Sequence, residues 1–162
     1  MACLVETIQS ENLIFRGINE TDTEKIVLWR SNPEVYKFFK SPHKLTVDEH
    51  LNWYNNSYLQ NNHRYDWICI ERESGEKIGV FGLVNENGYA EINYLLAPDA
   101  QHKGFAKEGI TRLILYAFDT LKVNRVIAEI HKDNIPSITV IKKLGFKLVS
   151  DVENFVIYEI EG

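Results

Sequence analysis

Cysteine is scarce in this chain, two residues in 162. Cys3 and Cys69 stand alone and far apart, so they frame neither a zinc site nor a disulfide scaffold. Both read as reduced thiols, Cys69 as a small core residue. No run of about 18 apolar residues occurs, and residues 1–20 lack a basic segment followed by an apolar one. The expectation is a cytoplasmic protein without a membrane span. Basic residues are in deficit, 18 Lys and Arg against 23 Asp and Glu. That balance argues against bulk nucleic-acid binding, which draws its affinity from clustered cations. The G-x-x-x-x-G-K-S/T phosphate loop and the three-glycine dinucleotide fingerprint are both missing. Repeats, low-complexity tracts and linkers are missing too, and the length suits a single domain over residues 1–162.

What the chain does have is a change of hydrophobic period. Leu13–Arg16 reads as a first strand, and Thr21-Asp22-Thr23-Glu24 has the capping-box form of a helix start. Pro33 interrupts, a second helical piece carries Val35, Tyr36, Phe38 and Phe39, and Ser41-Pro42-His43 marks a loop. Thr46-Val47-Asp48-Glu49 opens a third helical stretch with Leu51, Tyr54, Tyr58 and Leu59 at helical spacing. From Tyr65 three strands follow, over 67–70, 77–84 and 89–96. Gly75 and Asn87-Gly88 supply the turns of an antiparallel meander. The clearest helix carries Ile110, Leu113, Ile114, Ala117 and Leu121 on one face. Arg125–Ile130 is a further strand, Asn134 caps a helix with Pro136 in its first turn and Gly145 at its end, and 146–149 with 155–160 close the sheet.

Between the strand ending at Leu96 and the long helix lies the polar loop Gln101-His102-Lys103-Gly104-Phe105-Ala106. Unpaired N–H groups at a helix N-terminus, together with the helix dipole, form a ready site for a pyrophosphate. Gly104 lets the backbone approach such a ligand, and Lys103 and Lys107 bring positive charge. By itself the loop reads more readily as a turn glycine ahead of a surface helix.

The ordered set Glu91–Pro98, Gln101–Ala106, Asn134-Ile135-Pro136-Ser137 and Lys143-Leu144-Gly145-Phe146 resembles the GNAT superfamily of acyl-CoA N-acyltransferases. The resemblance runs from residue 12 to 160. It implies an α/β (α+β) fold with a mixed, mostly antiparallel sheet of six to seven strands flanked by helices. It also implies acetyl-CoA as acetyl donor, with no metal. The family's Gln/Arg-x-x-Gly-x-Gly/Ala loop is matched by Gln101, Gly104 and Ala106. Its downstream elements are matched by Asn134, Ser137 and Lys142 or Lys143 before Gly145-Phe146. The cofactor set implied is Tyr94, Leu95, Leu96, Gln101, His102, Lys103, Gly104, Phe105, Ala106, Lys107, Asn134, Ser137 and Lys143, with the Leu95 N–H as oxyanion donor.

Glu91 resembles the acidic residue that deprotonates the amine in members acting on protein N-termini; the alternative is a solvent-facing strand residue. Many members carry a tyrosine four positions after the Ser137 position, and here it is Ile141. Ser137 is then the catalytic donor to the thiolate, or a hydrogen-bonding contact, or a plain first-turn helix residue. Trp29-Arg30, Asn32-Pro33-Glu34-Val35, Leu45-Thr46, Glu49-His50-Leu51 and Trp53 resemble the pseudaminic-acid branch. That branch acetylates a nucleotide-linked amino sugar. Trp29, Arg30, His50 and Trp53 become substrate-binding candidates, with packing as their other reading. Lys37, Lys40 and Lys44 near the candidate pocket suit an anionic acceptor. The ribosomal-protein N-terminal and spermidine branches share the early pattern more loosely. A non-catalytic acyl-CoA-binding module and an α/β nucleic-acid-binding or structural domain are the alternatives from other classes. The last strand pair offers an edge for a homodimer.

Overall fold

The computed structural model describes residues 5–162; Cys3 lies outside them. The sheet order is β1-β2-β3-β4-β5-β6-β8-β7. Its strands are β1 (Ile8–Gln9), β2 (Leu13–Gly17), β3 (Arg64–Glu71), β4 (Lys77–Asn85), β5 (Tyr89–Leu96), β6 (Arg125–His131), β7 (Lys147–Val152) and β8 (Phe155–Glu161). The helices are α1 (Thr23–Arg30), α2 (Pro33–Tyr36), α3 (Val47–Trp53), α4 (Phe105–Asp119) and α5 (Ile135–Lys143). Every strand pair is antiparallel except β5 with β6, the pair joined through the α4 crossover as parallel neighbours require. The eighth strand beyond the expected six to seven is β1, whose two residues carry no periodic signal.

One face of the sheet packs on α4. Trp67 meets Tyr116 edge-on at 5.2 Å between ring centroids, and Phe81 lies against Gly109, where α4 comes closest. Ile110 and Leu113 of the same helix are fully buried. The other face is covered by α1 and α3, and there Asp66, Gly82 and Asn93 come together on adjacent strands. α4 is one long amphipathic helix because its apolar positions repeat on a single stripe. α5 starts where Asn134 accepts from the Ser137 N–H and ends at Gly145, whose φ of +96° suits a residue without Cβ.

Two local expectations change. The first capping box is Asn19 with Asp22, two residues ahead of the Thr21–Glu24 pattern, so a short 3₁₀ turn precedes α1. The Thr46–Glu49 box forms reciprocally as expected. Beyond Trp53 the helix widens into a π turn over Tyr54–Tyr58, which keeps both tyrosines buried. Among the described residues no helix is long and apolar enough to cross a membrane.

Candidate active site

β5 and β6 pair only over Tyr89–Glu91 and Arg125–Ile127, then splay. The gap opens into a cleft of about 690 Å³. Ile92–Leu96 form one wall and Ala128–His131 the other. Gln101, His102, Gly104, Ala106 and Lys107 close one end, Asn134–Ser137 and Thr139–Ile141 the floor, and Glu34, Val35, Phe38 and Phe39 the opposite lip.

The ladder between β4 and β5 dictates which backbone groups face this cleft. The Ala97 N–H donates to Ile78 and the Glu86 N–H to Tyr89, both at 2.8 Å, and the register between them is unbroken. Antiparallel pairs alternate between bonded and non-bonded residues, so Glu91, Asn93 and Leu95 turn their N–H and C=O toward β4. The Leu95 carbonyl oxygen accordingly crowds Gly79, where a Cβ would not fit. Tyr94 and Leu96 turn theirs toward the gap, where no strand stands opposite. The Leu95 N–H is therefore engaged in the sheet rather than free as an oxyanion donor. Unpaired N–H groups are presented by Tyr94 and Leu96 instead. The Leu96 carbonyl accepts from Gln101 Nε2 at 3.3 Å, which ties the loop to the strand end.

At the loop, His102 and Gly104 both take left-handed conformations, φ 65° and 83°. Gly104 occupies the N-cap of α4 and no side chain caps the helix, so the first-turn N–H groups have no side-chain partner. Nothing lies within 4 Å of where a Gly104 Cβ would stand. The acid in this turn, Glu108, is drawn away by Ser10 and Asn12. Open N–H groups, space and lysine charge suit a pyrophosphate. A free strand edge of alternating N–H and C=O suits the amides of an extended chain. The residues present therefore fit the two parts of acetyl-CoA.

Of the expected cofactor residues, Tyr94, Leu95, Leu96, Gln101, His102, Gly104, Ala106, Lys107, Asn134 and Ser137 all line the cleft. Phe105 turns its ring into the core, leaving only its backbone for a ligand, and Lys103 and Lys143 are exposed outside the lining. On the donor side of the sheet the Tyr94 ring stacks on Phe81, 5.5 Å and 15° apart. Its hydroxyl lies 2.7 Å from Ser137 Oγ. Burial pushes the phenol above its ordinary pKa, against the Ser137 hydrogen bond.

Glu91 sits on the opposite face, half-buried at the root of the splay. Burial raises its carboxyl pKa, the Glu129 charge raises it further, and Lys40 and Arg64 work against both. Lys40 is ion-paired with Glu129. Arg64 pairs with the buried Asp66 at 2.6 Å and stands next to Arg30, whose charged form is disfavoured by burial and by Arg64. Arg30 lies 4.9 Å over the Phe39 ring.

Trp29 and His50, 4% and 3% exposed, are packed beneath this region and do not line the cleft. His50 is held below its ordinary pKa by burial and by Arg30. Trp53 packs between His50 and Tyr58, its ring tilted to both. Sequence reasoning missed Glu129 and His131 of β6 as cleft residues. The signal available was a charged or polar residue at alternate positions of an otherwise apolar strand. Lys37 and Lys40 are both neutralised, by Glu34 and Glu129.

A family model described as an acetyltransferase (GNAT) domain matches residues 12–147. An uncharacterized N-acetyltransferase, p20, from Bacillus licheniformis is 32% identical over 148 residues, spanning 88% of this chain and 83% of that protein. Acetyltransferase PseH from Campylobacter jejuni is 26% identical over 142 residues, 87% of each chain. Among solved structures, a spermidine N-acetyltransferase from Vibrio cholerae in complex with CoA and spermine superimposes with a TM-score of 0.80. That match covers 93% of this chain and 94% of the other, and at 20% identity it is a likeness of fold.

Proposed function

The chain belongs to the GNAT acetyltransferase family as an acetyl-CoA-dependent N-acetyltransferase, and we propose that it acetylates a primary amine on an anionic small molecule, a nucleotide-linked amino sugar, by direct attack. The splay of β5 from β6 beside the uncapped first turn of α4 carries this reading. It offers one slot for an extended thioester arm and one for its pyrophosphate.

Acetyl-CoA supplies the thioester. The chain's own groups do the rest. Glu91 takes the proton from the acceptor ammonium, directly or through water; its raised pKa makes it a stronger base than an exposed carboxylate. The neutral nitrogen attacks the carbonyl carbon, whose oxygen accepts from an N–H of Tyr94 or Leu96 as charge develops. The C–S bond breaks and the electron pair stays on sulfur, which faces the Ser137 hydroxyl.

The anionic acceptor is supported by the two neighbouring guanidinium groups. Arg64 ion-pairs with Asp66, Arg30 feels the charges of both, and the Arg64 charge also reaches Glu91. Phe38 and Phe39 give the lip apolar faces for a sugar ring or base. The exposed lysine count contributes less than the sequence implied, since Lys37 and Lys40 have partners. Edge strand β7, with Leu148, Val149 and Val152 exposed, is the surface where a second copy would pair.

The test is thiol release with a uridine-diphosphate-linked 4-amino sugar, a peptide bearing a free N-terminus and spermidine, each compared for wild type and Glu91→Gln. The reading expects the highest kcat/KM for the nucleotide sugar. It also expects Glu91→Gln to abolish the fall in kcat/KM at acidic pH along with most of the rate. Preference for spermidine would overturn the acceptor assignment, and an unchanged Glu91→Gln profile across pH 6–9 would remove the base.

A further inference from the structure

α5 brings no phenol to the cleft: the position four residues after Ser137 is Ile141, aliphatic and 1% exposed. A phenol reaches Ser137 from the opposite wall instead, because Tyr94 of β5 places its hydroxyl 2.7 Å from Ser137 Oγ. We propose that Tyr94 is a positioning residue for the leaving group: its hydroxyl donates to Ser137 Oγ and so directs the serine hydrogen into the cleft at the CoA sulfur. This rests on the reading that Ser137 faces that sulfur.

The direction of the hydrogen bond follows from acidity. A phenol titrates near 10 and an aliphatic hydroxyl far higher, so the tyrosine is the better donor and the serine oxygen the better acceptor. A serine hydroxyl has one hydrogen and two lone pairs. Once a lone pair is occupied by Tyr94, the remaining hydrogen is free for a third partner. Both ends are held: the Tyr94 ring by its stack on Phe81, and the Ser137 backbone by the Asn134 cap. A donor fixed before the reaction needs no reorganisation as negative charge develops on sulfur.

No proton leaves Tyr94 in this scheme. A thiol is a stronger acid than a phenol, and burial disfavours a phenolate here. The C–N bond forms, the C–S bond breaks and the thiolate accepts the Ser137 hydrogen bond. The proton shed by the nitrogen after attack passes to water, from which the thiolate is protonated on release.

The experiment is a double-mutant cycle on kcat with Tyr94→Phe, Ser137→Ala and the double variant, together with acetyl-CoA dissociation constants and melting temperatures. Tyr94→Phe keeps the ring and its stacking. The inference expects it to lower kcat about three- to tenfold, the worth of one hydrogen bond, with the acetyl-CoA dissociation constant unchanged. It expects the double variant to be no slower than Ser137→Ala, because Tyr94 acts through the serine. Losses that multiply, or full kcat in Tyr94→Phe while Ser137→Ala is slow, would overturn the positioning role and leave the Ser137 reading standing. Full kcat in Ser137→Ala would overturn both.

Discussion

Gly109→Ala separates two opposing effects that the fold places at one atom. Gly109 is buried within α4, where replacing glycine by alanine gains about 0.8–1.0 kcal/mol of helix propensity. Its Cβ, however, would approach two carbons of the Phe81 ring to under 3.0 Å. Phe81 is fully buried and cannot retreat freely, since Phe15 meets it edge-on at 5.6 Å and Tyr94 stacks on it at 5.5 Å. Overpacking of this kind costs roughly 1–3 kcal/mol, so the net change is a loss of about 1 kcal/mol. For a domain of this length that lowers Tm by about 2–4 °C, measured by circular dichroism without ligand. Phe81→Leu removes the obstruction, and in that background Gly109→Ala should be neutral or stabilising, a coupling of the size seen for residues in contact. The same displacement pushes on Tyr94, so kcat should fall while acetyl-CoA still raises Tm. A rise in Tm for the single variant, matching propensity alone, would refute the packing argument.

The remaining predictions are electrostatic. As the proposed base Glu91 would act as a carboxylate, and burial and Glu129 raise its pKa while Lys40 lowers it. The acidic limb of kcat/KM should therefore lie above the ordinary carboxylate range, move to lower pH in Glu129→Gln and move to higher pH in Lys40→Met; movement of either limb the other way sinks the assignment. Asp22 is fully buried, and burial alone would raise its pKa, but hydrogen bonds from Arg16 and Lys77 and from the Asn19 N–H prevail and lower it. Its contribution to stability is thus complete above the unfolded value of about 3.9 and lost as pH falls through the folded value. Urea unfolding from pH 7 to pH 2.5 should show the gap between wild type and Asp22→Asn closing at the acid end; a constant gap would count against the ion-pair account.

The parts of the fold written in local chemistry were readable in advance. The Asn87-Gly88 turn and the alternation on either side of it specify the β4–β5 hairpin, and Asn134 with Pro136 specifies the start of α5. Local pattern pointed only to Thr21–Glu24, whereas the box that forms is Asn19–Asp22, where Asp22 is also paired with Arg16 and Lys77. The cleft itself is a tertiary product. Nothing in Arg125–His131 says that its pairing with β5 stops after three residues, so Glu129 and His131 read as ordinary strand positions. Tyr94 was recognisable as a residue of the donor strand, but its contact with a serine 43 positions away exists only once α5 has packed. The expectation for the Leu95 N–H failed for a related reason: the side-chain alternation is visible in sequence, whereas the bonded phase of the ladder is set by its partner strand.

That phase explains how one strand serves both halves of the proposed reaction. Side chains of β5 alternate between faces. Glu91 and Asn93 share the face with Asp66 and Arg64, and Tyr94 shares the other with Phe81 and α4. An odd separation of three residues therefore puts the base and the leaving-group device on opposite sides of the sheet. The backbone N–H groups of Tyr94 and Leu96 lie between them, in the plane of the gap. A thioester carbonyl held in that plane is open to an amine from the Glu91 face while its sulfur points to the Tyr94–Ser137 face. The amine adds to the carbonyl face on the Glu91 side, and the thiolate leaves the resulting tetrahedral carbon toward Ser137. Cys69, the one cysteine among the described residues, is buried on β3, with its thiol pushed far up by burial, and is disqualified as a nucleophile by both position and protonation. Direct transfer is thus the route that the alternation of a single strand favours.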